Sequence, residues 1–211
     1  ERPDGTNDPS GKGVPIRAPR DEKILNGQTD ARFDVQIKED INLVFAGGVN
    51  VSNGIIPSPI GAMQNKNWTY SWAQMRFTWK NLFAQVYMNG NNSRQTYFVP
   101  VGGQYIDKSH MYSVQIQNSH ELYKKRINLI YGFDAFFTRP NTEGTLNGKY
   151  ENKDNIDEYG VYLQGDYAIH PRFSLIVATR LDYNTAVKKL LFSPKVAVVY
   201  KHGTGHNLRF T

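Results

Sequence analysis

The 211 residues contain no cysteine, which removes disulfides and thiolate metal sites without excluding an oxidising compartment. No apolar run approaches the roughly 20 residues that a membrane-crossing helix needs. The longest, around Leu43 to Val51, is interrupted by Gly47, Gly48 and Asn50. Any element that crosses a bilayer must therefore be a strand, since only helices and closed barrels satisfy the backbone there. Hydrophobic residues are also sparse, at 39% with a mean hydropathy of −0.56, although a chain of this length could bury a sizeable core. Blocks of charge are missing too. The net charge of +6 would suit a nucleic-acid partner, but the basic residues are scattered, so no such partner is expected. Glu1 is not a start methionine and Thr211 stops inside a strand-like run. Both ends are expected to be cuts in a longer chain, with any targeting signal outside it.

Against these absences stand an aromatic content of 13%, thirteen tyrosines among it, and a persistent alternation. In Ser71–Trp79, Ala73, Met75, Phe77 and Trp79 fall on one side and Trp72, Gln74, Arg76 and Thr78 on the other. Successive strand side chains point to opposite faces, so this is a strand with one apolar and one polar face. The same pattern predicts strands over 30–38, 41–51, 68–79, 82–90, 109–120, 127–138, 158–169, 172–183 and 192–201, with a tenth beginning at His206. Short turns at Glu39-Asp40, Lys80-Asn81, 123–126, His170-Pro171 and 201–205 alternate with long connections over 52–67, 91–108 and 139–157 and a shorter one over 184–191. No step calls for a helix. Residues 1–23, with Pro3, Pro9, Pro15 and Pro19, read as a loop or disordered lead-in.

Within these strands no charge falls on the apolar side, which collects Phe33, Met75, Leu129 and Leu175. The other side carries Gln74, Gln115, Lys195 and similar residues. A soluble sheet packed on a core explains alternation, but neither the loop asymmetry nor strands longer than the usual length of about 5–6 residues. Apolar-side rings near strand ends, Trp79, Tyr112, Tyr159, Tyr167, Tyr183 and Tyr200, fit interfacial girdles. The fold expected is all-β: an antiparallel transmembrane β-barrel, with residues 24–211 forming part of it.

The second half carries more specific marks. Gly132 and Asp134 precede a long connection containing Glu151 and Asn155. Then come Glu158, Gly160, Tyr162 and Gln164, next Arg180 and Asp182, and finally Phe192-Ser193-Pro194-Lys195. In order and spacing this resembles the barrel of TonB-dependent outer-membrane receptors, closely over residues 127–211 and in style over 24–120. Lys195 stands where that family usually has arginine. The resemblance implies a barrel of about 22 strands occluded by a plug, of which this chain supplies about ten middle strands. It also implies residence in the bacterial outer membrane, contact with its lipid, and TonB-driven uptake of a small-molecule or metal-chelate ligand such as a siderophore or cobalamin. The plug and the segment that contacts TonB lie outside this chain, and the ligand, the oligomeric state and any surface lipoprotein partner are left open.

For ligand contact, the inward side of the long-connection end is the best candidate: Trp68, Tyr70 and Trp72 on alternate positions, with Arg76, Tyr87 and Asn89. Rings beside amides and a guanidinium offer stacking and hydrogen bonding. Asp134, Glu158, Gln164, Arg180 and Asp182 form a candidate polar ladder whose expected role is to hold register and keep the lumen hydrated. The five histidines, His110, His120, His170, His202 and His206, are dispersed, so neither a metal site nor a cofactor is expected, and no catalytic constellation converges. Two alternatives remain: a self-contained ten-stranded outer-membrane protease, and a passive porin.

Overall fold

The computed structural model describes residues 18–58, 61–146, 153–202 and 205–211. Expectations resting on residues 1–17, Pro59, Glu151 and Gly203-Thr204 lie outside them. The described residues form eleven strands and no α-helix: β1 (Leu25–Lys38), β2 (Ile41–Ser58), β3 (Gly61–Trp79), β4 (Leu82–Asn92), β5 (Tyr97–Phe98), β6 (His110–Leu122), β7 (Ile127–Arg139), β8 (Ile156–His170), β9 (Phe173–Asn184), β10 (Lys189–His202) and β11 (His206–Phe210). Ten run as an antiparallel meander, while β5 lies off the path and pairs with β3. Among the described residues, β1 and β11 each keep one unpaired edge.

The tight turns have local causes. Lys80 adopts a left-handed φ of 51° and its N–H reaches the Asp40 carbonyl at 3.1 Å, tying two adjacent turns together. Tyr123, Lys124 and Lys125 are left-handed in succession, a conformation uncommon outside glycine. Asn184 Oδ1 accepts from the Ala186 and Val187 N–H groups and closes the β9–β10 turn.

Three expectations need correction. The stretch 52–67, read as a loop containing Pro57 and Pro59, is instead a hairpin extension of β2 and β3, paired from Gly54 with Asn65 to Ser58 with Gly61. A register shift between Ser52 and Gly54 lets the ladder continue past residues that disfavour strand. The connection 184–191 is shorter than expected, because β10 already starts at Lys189. The region 91–108 is not open loop: β5 folds back so that Met63 faces Phe98 and Gln64 faces Tyr97.

Pairing preserves the two faces across the sheet. One register row reads Phe33, Phe45, Met75, Val86, Val114, Ala135, Tyr159, Tyr183 and Leu190 from β1 to β10. The row beside it, on the opposite face, reads Asp34, Val44, Arg76, Gln85, Gln115, Asp134, Gly160, Asp182 and Leu191. Directly opposed residues share a face, so the alternation of single strands becomes a sorting of the whole sheet.

Among the described residues no hydrophobic core lies behind the apolar face. The buried apolar side chains among the described residues are only Ala18, Val44, Val99, Ala135 and Ala197, whereas Phe33 is 67% exposed and Val196 56%. A single-layer sheet that leaves this much apolar surface uncovered requires a non-aqueous partner. Toward the long connections the apolar face changes character at one level: Ala73 gives way to Ser71, Met88 to Gly90, Tyr112 to His110, Phe137 to Arg139 and Tyr159 to Asp157. Toward the turns it ends in Trp79, beneath the Lys80 ammonium at 5.8 Å, and in the Phe173–Tyr200 ring pair at 4.7 Å.

Candidate functional site

The polar face is built differently on its two sides. On β3, β4 and β6 it is a lattice of amides and rings. Arg76 Nη2 donates to Gln74 Oε1 at 3.2 Å, Gln74 Nε2 to Gln85 Oε1 at 2.9 Å, and Gln85 Nε2 to Gln115 Oε1 at 3.4 Å. The Arg76 Nε is buried without a hydrogen-bond partner among the described residues. Toward the long connections the Tyr70 and Tyr87 hydroxyls meet at 3.2 Å, and the Trp72 ring lies 6.5 Å from that of Tyr87. Asn89 sits opposite Trp72 in the register.

Above this lattice, the folded connection closes over the same face. Trp68 packs 5.5 Å from Tyr105, which is itself 5.5 Å from Phe98. Burial, and then the neighbouring Asp107, push the Tyr105 phenol above its ordinary value, so it stays a neutral donor at neutral pH. Part of the lead-in joins this layer: Ala18 N–H donates to the Val99 carbonyl, Asp21 N–H to Gln64 Oε1, and Tyr97 Oη–H to the Pro19 carbonyl. Of the six ligand-contact candidates, the structure brings Tyr70, Trp72 and Tyr87 together, with Asn89 beside them. Trp68 lies in the upper layer and Arg76 lower, on the amide ladder. Sequence reasoning missed Tyr105 and Phe98, whose position depends on the fold-back of β5.

Across β7, β8 and β9 the polar face is ionic. The Arg180 guanidinium reaches Asp134 at 2.6 Å and Asp182 at 2.8 Å, and lies 5.7 Å from the Tyr162 ring centre. Arg180 on β9 contacts Asp134 on β7 by crossing β8 at Gly160, where any Cβ would strike the Arg180 guanidinium and the Asp182 carboxylate. Tyr162 repeats the device. It passes over Gly132 on β7, where a Cβ would collide with its hydroxyl, and donates to Gln117 on β6 at 3.0 Å. Trp72 does the same above Gly48 on β2, its Nε1 lying 2.8 Å from where a Cβ would be.

Each of these long side chains leans over a glycine on the preceding strand, which has no Cβ to obstruct it. Of the predicted ladder, Asp134, Arg180 and Asp182 converge. Glu158 instead accepts from Asn184 at 2.8 Å, and Gln164 donates to Asp166 at 2.9 Å. The glycines two residues before Asp134 and before Tyr162 were the available signal, legible only once it is known which inward side chain stands opposite each.

Among the described residues no three His, Asp or Glu side chains gather in a way that would hold a metal. The family model described as TonB dependent receptor-like, beta-barrel, matches residues 7–211. No curated protein and no solved structure matches the chain.

Proposed function

The chain belongs to the TonB-dependent receptor β-barrel family, and from that premise we propose that it forms part of the wall of a receptor actively importing a scarce nutrient across the bacterial outer membrane. Receptors of this family are outer-membrane transport proteins rather than enzymes. A ferric siderophore, cobalamin or ligand of similar size would dock on rings and amides at the long-connection end. Release would follow when TonB, contacted through segments beyond this chain, remodels the plug. The wall does no covalent chemistry: its residues bind, orient and hydrate.

The observation that carries this reading is the cluster of Tyr70, Trp72 and Tyr87 on the polar face, with Trp68 two positions before Tyr70 on β3 packed on Tyr105, and Tyr105 on Phe98. Large, rigid amphipathic rings supply contact area together with a polar tip. The protease alternative requires a closed ten-strand cylinder, whereas β1 and β11 keep free edges among the described residues.

The test is uptake by cells carrying the intact receptor. Trp72→Ala combined with Tyr87→Ala should lower uptake of the receptor's labelled ligand at least tenfold, a loss of about 1.4 kcal/mol or more in contact energy. The heat-dependent gel shift of the folded barrel should be unchanged. Full uptake by this variant would remove the ring cluster from the site, and uptake that survives collapse of the proton gradient would remove TonB.

A further inference from the structure

The apolar face of the sheet is not uniform. Ala31, Gly47 and Ala73 occupy one register row that continues through Met88 and Tyr112. Small residues there, flanked by Phe33, Phe45 and Met75, leave a groove of about 580 Å³ whose walls are almost wholly apolar. Along β3, β4 and β6 the next residues on the same face are Ser71, Gly90 and His110, and with them a second cleft begins, of about 510 Å³. Its charged lining is entirely basic: Arg94, Lys108 and Arg139, with His110 lying flat over Gly90, where a Cβ would come within 2.7 Å of the ring.

Two of these cations have counter-ions outside the cleft, Lys108 with Glu143 at 2.5 Å and Arg139 with Asp157 at 2.6 Å. Arg94 is exposed and has no carboxylate within 4 Å among the described residues. The cleft therefore keeps positive charge, and it adds neutral donors from Ser71, Asn91 and Asn92. Successive positions on one strand face are only about 7 Å apart, so groove and cleft are continuous.

We propose that this outward face of β3, β4, β6 and β7 holds one phosphorylated lipid of the leaflet at the long-connection end. Its acyl chain fills the groove beside Ala73 and its phosphate sits among Arg94, Lys108 and His110. A phosphate offers several acceptor oxygens to converging charged donors, and the adjoining apolar channel distinguishes an esterified phosphate from a free one. The assignment rests on the reading that this face meets lipid.

Native mass spectrometry of the intact receptor in detergent tests it, using bis-phosphorylated lipid A, its dephosphorylated counterpart and inorganic phosphate as probes. The phosphorylated lipid should bind at least tenfold more tightly than either of the other two. R94Q combined with K108Q should lower that affinity at least tenfold, and Ala73→Leu, which fills the groove without adding charge, should lower it severalfold. Lys80→Gln, at the turn end, should leave it unchanged. Equal binding of phosphorylated and dephosphorylated lipid, or undiminished binding by the double variant, overturns the proposal, and inorganic phosphate binding as tightly as the lipid overturns it in favour of a free-anion site. Quenching of a Val161→Trp reporter, placed outside the groove and read as the difference from the receptor without it, by brominated acyl chains separates the two readings. Quenching without phosphate preference discards the lipid site alone; no quenching discards the membrane assignment with it.

Discussion

Inside β3, β4 and β6 the polar face is held by neutral amides and rings between neighbouring strands, whereas across β7, β8 and β9 it is held by a guanidinium that skips a strand. The difference follows from glycine. Gly160 lets Arg180 lie flat and reach Asp134 two strands away, while the Gln74–Gln85–Gln115 chain advances one strand at a time. Ionic contacts of this kind are directional and costly to leave half made, since Asp134 is only 8% exposed. An amide lattice exchanges partners, water or ligand at lower cost. The ionic side suits register and the neutral side suits recognition.

The comparison can be broken most severely at Gly160. Gly160→Val places a branched side chain where the Arg180 guanidinium lies, and the receptor should fail to assemble, read as loss of the heat-modifiable species. Normal assembly would show that Arg180 has another route. Next in size is Val177→Arg on the opposite face. A cation facing hydrocarbon costs about 2–4 kcal/mol at mid-bilayer, so the unfolding midpoint in lipid should fall sharply, and an unchanged midpoint would overturn the face assignment.

Arg180→Gln leaves Asp134 and Asp182 without their shared cation. Removing a hydrogen bond to a charged group costs about 1.5–3 kcal/mol, so urea unfolding in micelles should shift by that order while ligand uptake changes little. Smallest of all, Gln85→Leu cuts the amide chain at its middle. It should cost about 1 kcal/mol and lower ligand affinity more than stability, the reverse of Arg180→Gln. If both variants behave alike, the two halves do not differ in role.

Much of this was legible early because strand alternation is local. Phe33, Met75, Leu129 and Leu175 were assigned a face from their immediate neighbours, and the register rows retain those faces. The turn at Lys80-Asn81 was equally readable. The hairpin formed by 54–65 was not: Gly54 and Pro57 disfavour strand individually, and only the ladder between β2 and β3 outweighs them. Tyr105 and Phe98 carry no pattern that places them over Trp68, because that contact exists only once β5 has paired with β3. The ladder of acids and Arg180 was anticipated as a group, yet Glu158 and Gln164 left it for nearer partners.

Composition and period alone determined that this chain makes long antiparallel strands with one apolar and one polar face, since side-chain direction repeats every two residues wherever a strand forms. Tertiary structure decided which inward residues meet. Arg180 and Asp134 are 46 positions apart, and their contact depends on the registers of β7 against β8 and β8 against β9, and on the missing Cβ of Gly160 between them. That is a property of three backbones at once, which no single stretch of sequence contains.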